Sequence, residues 1–227
     1  MNPSPSSALL DCIELQTQAT PRASLIVLHG LGADGRDFVP VCQALDLQAI
    51  GGLRCVLPNA PAIPVTLNGG YVMPAWYDIL GTQIERREDE AGLRASQAAI
   101  AALLDRERAR GIAAERIVLM GFSQGCAMAL LTGLRYPHRL AGIVGLSGYL
   151  PLLAHTAAER HAANAATPIF LAHGRQDEVV TMARGAAGRD ELLRLGHAPE
   201  WHEYAMQHEV CEQEIEDLNA FLLRVLA

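Results

Sequence analysis

The five residues GFSQG at 121–125 set a serine between two glycines. They follow the apolar run RIVLM (116–120) and open the Ala- and Leu-rich stretch CAMALL (126–131). A serine hydroxyl is a weak nucleophile until a base takes its proton. A sharp turn from a buried strand into a helix puts such a serine at the helix N-terminus, where backbone N–H groups favour developing negative charge. Side chains at 121 and 125 would collide with neighbouring strands in that turn, so glycine is favoured at both. Ser147, in LSGY, also follows an apolar run but lacks the paired glycines and reads as structural.

The strand–turn–helix context predicts the chain order serine, acid, histidine. IFLAHGRQDEVV (169–180) is an apolar run, a glycine turn and then Asp177, which is preferred over its neighbour Glu178 as the acid. YAMQHEV (204–210) sets His208 in a loop between the last short strand and the last helix, where the base belongs. His138, His155, His161, His173, His197 and His202 also follow Ser123, but His173 lies at a strand end, His202 within a strand and His138 after a proline at a helix end. An acyl-transfer site also needs two donors for an oxyanion. The amide of Gln124 follows the serine, and the Gly-rich loop LHGLGADG (28–35) offers the amide of Leu31. No GK[ST] follows that loop, which argues against a phosphate site. HEYAMQH (202–208) spaces its histidines six apart, unlike a zinc helix.

The elements that must position these residues alternate. Apolar runs at 24–30, 53–58, 116–120, 141–147 and 168–174 read as buried strands, with an edge strand at 12–15 and a short strand near 201–205. Helical patterns run from Asp37, as N-cap, to about Leu47, and over 88–110, 126–134, 181–195 and 211–226. Such alternation predicts a mostly parallel sheet with helices on both faces. Residues 59–87 and the span from 148 to about 166 carry no period and are expected to be loops. Those loops hold Met73, Trp76, Tyr77 and Tyr149, an apolar set expected to line an acyl pocket; for Trp76 and Tyr77 the alternative is packing on the sheet as loop anchors.

The 227 residues, half of them apolar, suit one domain over 9–227 after a flexible tail at 1–8. The net charge of −7 disfavours nucleic acid and anionic membranes as partners. The mixed-sign cluster ERREDE (85–90) reads as a solvated loop and helix start. Five scattered cysteines fit a reducing cytoplasm, and the N-terminus has no signal-peptide pattern.

Taken in order, LHGLG (28–32), PNAP (58–61), MPAWYDI (73–79), EDEAG (88–92), RIVLMGFSQG (116–125), LAGIVGLSGYLP (140–151), HGRQDEVV (173–180) and MQH (206–208) resemble the carboxylesterase/phospholipase family that includes the acyl-protein thioesterases. The chain looks most like its bacterial carboxylesterase branch. The resemblance implies an α/β-hydrolase fold without a large cap domain, and no cofactor or metal. It puts Ser123, Asp177 and His208 on the family's catalytic positions and Leu31 and Gln124 on its oxyanion donors. It puts Tyr149 and Val179 where relatives line an acyl pocket. Tyr149 stands where the family often has tryptophan, and Cys126 where it often has glycine. The expected activity is hydrolysis of small carboxylic esters, and of thioesters, with short-to-medium acyl chains. Acylated proteins or lysophospholipids with long chains are the alternative substrates. A catalytically idle binding module is a remote alternative, since it would be expected to have lost one of the three residues.

Overall fold

Apolar runs without period become the interior of a sheet. The computed structural model describes residues 9–81 and 88–227; the expected tail at 1–8 and the first half of the charge cluster 85–90 lie outside them. In chain order the elements are β1 (Cys12–Gln16), β2 (Ala23–Leu28), α1 (Val39–Ala44), β3 (Leu53–Pro58), β4 (Ala62–Val65), β5 (Tyr71–Pro74) and α2 (Glu90–Ala109). There follow β6 (Ile117–Phe122), α3 (Gln124–Arg135), β7 (Gly142–Leu146), α4 (Leu153–Glu159), β8 (Ile169–Gly174), α5 (Met182–Arg194), β9 (Glu200–Tyr204) and α6 (Glu212–Val225). Seven strands form one sheet in the order β1-β3-β2-β6-β7-β8-β9. Only β1 runs antiparallel, pairing Cys12 with Pro58 and Gln16 with Arg54.

Alternate side chains of each central strand enter different cores. Ile26 and Leu28 of β2 join Leu93, Ile100, Leu103 and Leu104 of α2 and the buried side of α3. Leu25 and Val27 join Leu218, Phe221 and Leu222 of α6 on the other face. A strand buried on both faces has no polar side to show, which is why β2, β3 and β8 read as mostly apolar runs, each with a single buried polar residue, Ser24, Arg54 and His173.

The chain leaves β2 for β3 on one side of the sheet, while β6 and its successors build the other side. The loops after β2 and β6 therefore diverge at a switch point above the carboxyl ends of adjacent strands, where a crevice must open.

Three expectations need correction. The helix expected from Asp37 to Leu47 is broken into a 3-10 turn at Gly35–Phe38, the six-residue α1 and a second 3-10 turn at Gln48–Ile50. Asp34, not Asp37, is the cap, accepting from the Arg36 N–H at 2.7 Å. The loop expected over 59–87 contains a hairpin, β4 paired antiparallel with β5 in a sheet of its own. The span 148–166 contains the short helix α4.

Candidate active site

Ser123 is the hinge between β6 and α3. Its backbone sits at φ 57°, ψ −118°, a conformation that L-residues other than glycine rarely adopt and that costs about 1–3 kcal/mol. Neighbouring bonds impose it: Ser123 N–H donates to Leu146 O at 2.9 Å, and Ala127 N–H to Ser123 O at 3.2 Å. A Cβ on Gly121 would strike the Gly125 carbonyl, and one on Gly125 would strike the Leu28 carbonyl. Those two backbone approaches explain the glycines of GFSQG.

Asp177 and His208 arrive on two loops fastened together. Arg175 N–H donates to Tyr204 O at 2.9 Å and Gln176 N–H to Met206 O at 3.1 Å, tying the loop after β8 to the loop after β9. Asp177 is buried, and its Oδ1 accepts from the N–H groups of Val179 (2.9 Å) and Val180 (2.8 Å). Its Oδ2 lies 2.7 Å from His208 Nδ1. An ionised carboxylate only accepts, so Nδ1 carries the hydrogen and Nε2 is left as an acceptor. Nε2 lies 2.9 Å from Ser123 Oγ and takes the serine hydroxyl as donor. Phe122 packs on the imidazole with ring centroids 4.8 Å apart. The arrangement can pass a proton from Ser123 to His208 while Asp177 steadies the resulting charge.

The competing residues have other tasks. His173 is buried, and its Nε2–H donates to Val180 O at 2.7 Å, bracing the Asp177 loop. Glu178 is exposed. Ser147 is buried with no partner for its hydroxyl among the described residues.

The expected oxyanion donors flank Ser123. Gln124 opens α3, so its N–H has no acceptor within the helix. Leu31 lies in the loop after β2, and among the described residues its N–H meets no protein acceptor. The Gly30 backbone runs so close that a Cβ there would stand 3.4 Å from that of Ser123. Four hydrogen bonds hold this loop. His29 Nε2 accepts from Ala60 N–H at 3.0 Å, so Nδ1 carries the hydrogen and donates to Gly30 O at 2.7 Å. Gly32 N–H donates to Pro74 O at 2.8 Å. Trp76 Nε1–H donates to His29 O at 2.9 Å. Burial pulls the His29 pKa below the ordinary imidazole value, against a weaker upward pull from its Gly30 bond.

A cavity of about 480 Å³ opens over Ser123 and His208, and Leu31, Gln124, Tyr77, Tyr149 and Val179 are also on its wall. Of the expected pocket residues, Tyr77, Tyr149 and the exposed Val179 are brought there. Trp76 and Met73 are not on that wall. Trp76 is 1 % exposed and anchors its loop, with its N–H on Gln124 Oε1 and its carbonyl accepting from the Ser96 hydroxyl. Met73 is half-buried beside Gly32. Tyr149 is buried with its hydroxyl 2.6 Å from that of Tyr77, which makes this end of the cavity partly polar. Sequence reasoning missed His29 and the side chain of Gln124. The only signal for either was its position next to an expected oxyanion donor or nucleophile.

Among the described residues there is no cluster of three potential metal-ligating side chains, and no helix is long and apolar enough to cross a membrane. The chain matches the phospholipase/carboxylesterase family over residues 11–226. It is 41% identical over 210 residues to acyl-protein thioesterase 1 of Neurospora crassa, covering 88% of this chain and 85% of that one. With acyl-protein thioesterase 1 of Mycosarcoma maydis it shares 42% identity over 221 residues, covering 91% and 92%. The crystal structure of Zea mays acyl-protein thioesterase 2 superposes with a TM-score of 0.86 at 29% identity, covering 96% of this chain and 100% of that one. With a family match along almost its whole length and a parallel sheet that carries Ser123 on a strained turn, the chain belongs to the phospholipase/carboxylesterase family of α/β-hydrolases.

Proposed function

We propose that Ser123, His208 and Asp177 hydrolyse carboxylic esters and thioesters through an acyl-enzyme. One observation carries this reading: a single imidazole lies 2.9 Å from the Ser123 hydroxyl and 2.7 Å from the Asp177 carboxylate. His208 takes the proton as Ser123 Oγ attacks the acyl carbon, and the tetrahedral oxyanion is received by the amides of Leu31 and Gln124. The histidine returns the proton to the departing alcohol or thiol. Water, activated by the same imidazole, then releases the acid.

The substrates proposed are esters and thioesters with short-to-medium acyl chains, because the cavity is modest and its Tyr77–Tyr149 end is polar. A second reading, thioesters of long-chain acylated proteins, is favoured by the names of the fungal relatives. A panel of acetyl, octanoyl and palmitoyl esters beside the matching thioesters separates the two. Best turnover of palmitoyl substrates would establish the second reading over the first.

Ser123→Ala is expected to lower turnover by about 10⁴–10⁶-fold, and Asp177→Asn by about 10⁴-fold through the wrong histidine tautomer. A fluorophosphonate should label the wild-type serine, and equal labelling of the alanine variant would overturn the assignment.

A further inference from the structure

Arg184, on α5, lines the same cavity as Ser123 and His208. Its guanidinium carbon lies 3.3 Å from the centroid of the Tyr149 ring. A guanidinium stacked on a ring uses its face and keeps its in-plane N–H groups available. Among the described residues no carboxylate pairs with Arg184 and no acceptor takes a side-chain N–H from it. The tyrosine beneath is fixed by its bond to Tyr77, so the cation is held at a defined place on the wall.

The other charged groups on this wall are acidic. Asp37 adjoins Phe38, Glu209 adjoins His208, and the rings of Phe38, Phe122 and His208 follow one another at 5.9 Å and 4.8 Å. The acidic groups thus belong to the Phe122 side, and Arg184 belongs to the tyrosine side. A substrate with a negative charge is repelled on one side and received on the other. We propose that Arg184 makes this cavity a reader of a carboxylate carried by the substrate away from its scissile bond, so that the favoured ester or thioester has an anionic far end. The inference rests on the hydrolase reading above. The fork of a guanidinium matches a carboxylate with two parallel bonds. The acidic side chains on the other side of the wall oppose each further negative charge, which favours a carboxylate over a dianionic phosphate. Such a site discriminates strongly against a neutral analogue, because that analogue covers the cation without pairing it.

The carboxylate can belong to the acyl part or to the leaving group, and two arms of one experiment separate them. The first compares monoethyl esters of straight-chain diacids of five to eight carbons with ethyl esters of monocarboxylic acids of the same length. The second compares acetyl esters of ω-hydroxy acids with acetyl esters of simple alcohols. In one arm the charged member should lead by about tenfold or more in kcat/KM at low salt, and the lead should shrink as salt rises. In Arg184→Gln the ratio of charged to neutral kcat/KM should fall by about ten- to a hundredfold, mostly through KM of the charged member. Arg184→Lys should restore part of it. Using a ratio within each variant cancels any general loss of packing at Tyr149. Equal turnover of charged and neutral members in both arms of the wild type would overturn the proposal without any variant, as would an unchanged ratio in Arg184→Gln. Failure of the wild type to be labelled at Ser123, or to hydrolyse any ester or thioester of the acyl-chain panel, would instead defeat the hydrolase reading and this inference with it.

Discussion

Gln124 uses both ends of its side-chain amide on one stretch of loop. Its Oε1 accepts from Trp76 N–H at 3.0 Å, and its Nε2–H donates to Tyr77 O at 2.9 Å. The residue whose backbone N–H is proposed as an oxyanion donor thereby also fixes the segment that supplies Tyr77 to the cavity wall. Both backbone groups are buried, so removing the amide leaves each without a partner, at about 1–3 kcal/mol apiece. Gln124→Met keeps the volume and the backbone donor. It is expected to lower the denaturation midpoint in urea and to reduce kcat, and full stability in that variant would mean that water replaces the side chain. The three residues proposed for catalysis were legible because each follows a strand end in the required order. The side chain of Gln124 was not, because its partners lie 48 and 47 residues away in a segment without period.

The loop after β2 is a short element with its own titration. His29 holds Gly30 through one ring nitrogen and Ala60 through the other, and the Ala60 bond requires the neutral ring, because Nε2 must accept there. Burial lowers its pKa from the ordinary value of 6.5, with Asp34 and Asp37 opposing more weakly. The folded state gives up the proton more readily than the unfolded chain. Its contribution to stability is therefore full above about 6.5 and is lost as pH falls through the lowered value. His29→Gln should flatten the acid side of a urea-midpoint profile between pH 7 and 5, and an identical slope would refute the role given to His29. Other elements were hidden from the sequence for physical reasons. The strands of the β4–β5 hairpin are only four residues long, Pro64 lies inside β4, and of their eight residues only Val65 is buried, so too little apolar pattern marks them. Helix α4 has seven residues and one buried side chain, and it starts from Leu152 in the left-handed region rather than from a polar cap. The strand–turn–helix around Ser123 was visible because burial of β6 demands an apolar run and close backbone contact demands the two glycines.

Across the whole molecule two cores sandwich the sheet, and each meets a fully buried glutamate. Glu107, near the C-terminal end of α2, is paired with Arg54 at 2.8 Å and Arg110 at 3.0 Å. Breaking such a pair leaves an uncompensated buried charge, so the cluster constrains how α2 sits on β1 and β3. Glu214, in the first turn of α6, is 0 % exposed, and neither carboxylate oxygen has a partner among the described residues. Burial pushes its pKa from 4.5 up to about 8. At neutral pH it is therefore mostly a protonated acid inside the face held by Phe221 and Leu222. The folded state keeps a proton that the unfolded chain has released. The contribution of Glu214 is thus full below about pH 4.5, declines above it, and is lost as pH rises through about 8. Glu214→Gln cannot ionise and keeps nearly the same shape. Its urea midpoint should exceed that of the wild type at pH 9, with the difference shrinking steadily toward pH 5. Because Glu214 opens the helix that follows the His208 loop, alkaline loosening of the wild type should also appear as earlier hydrogen exchange in the first turn of α6. A constant difference between the two proteins across this pH range would show that Glu214 is ionised in the folded state, with water reaching it between α6 and the sheet.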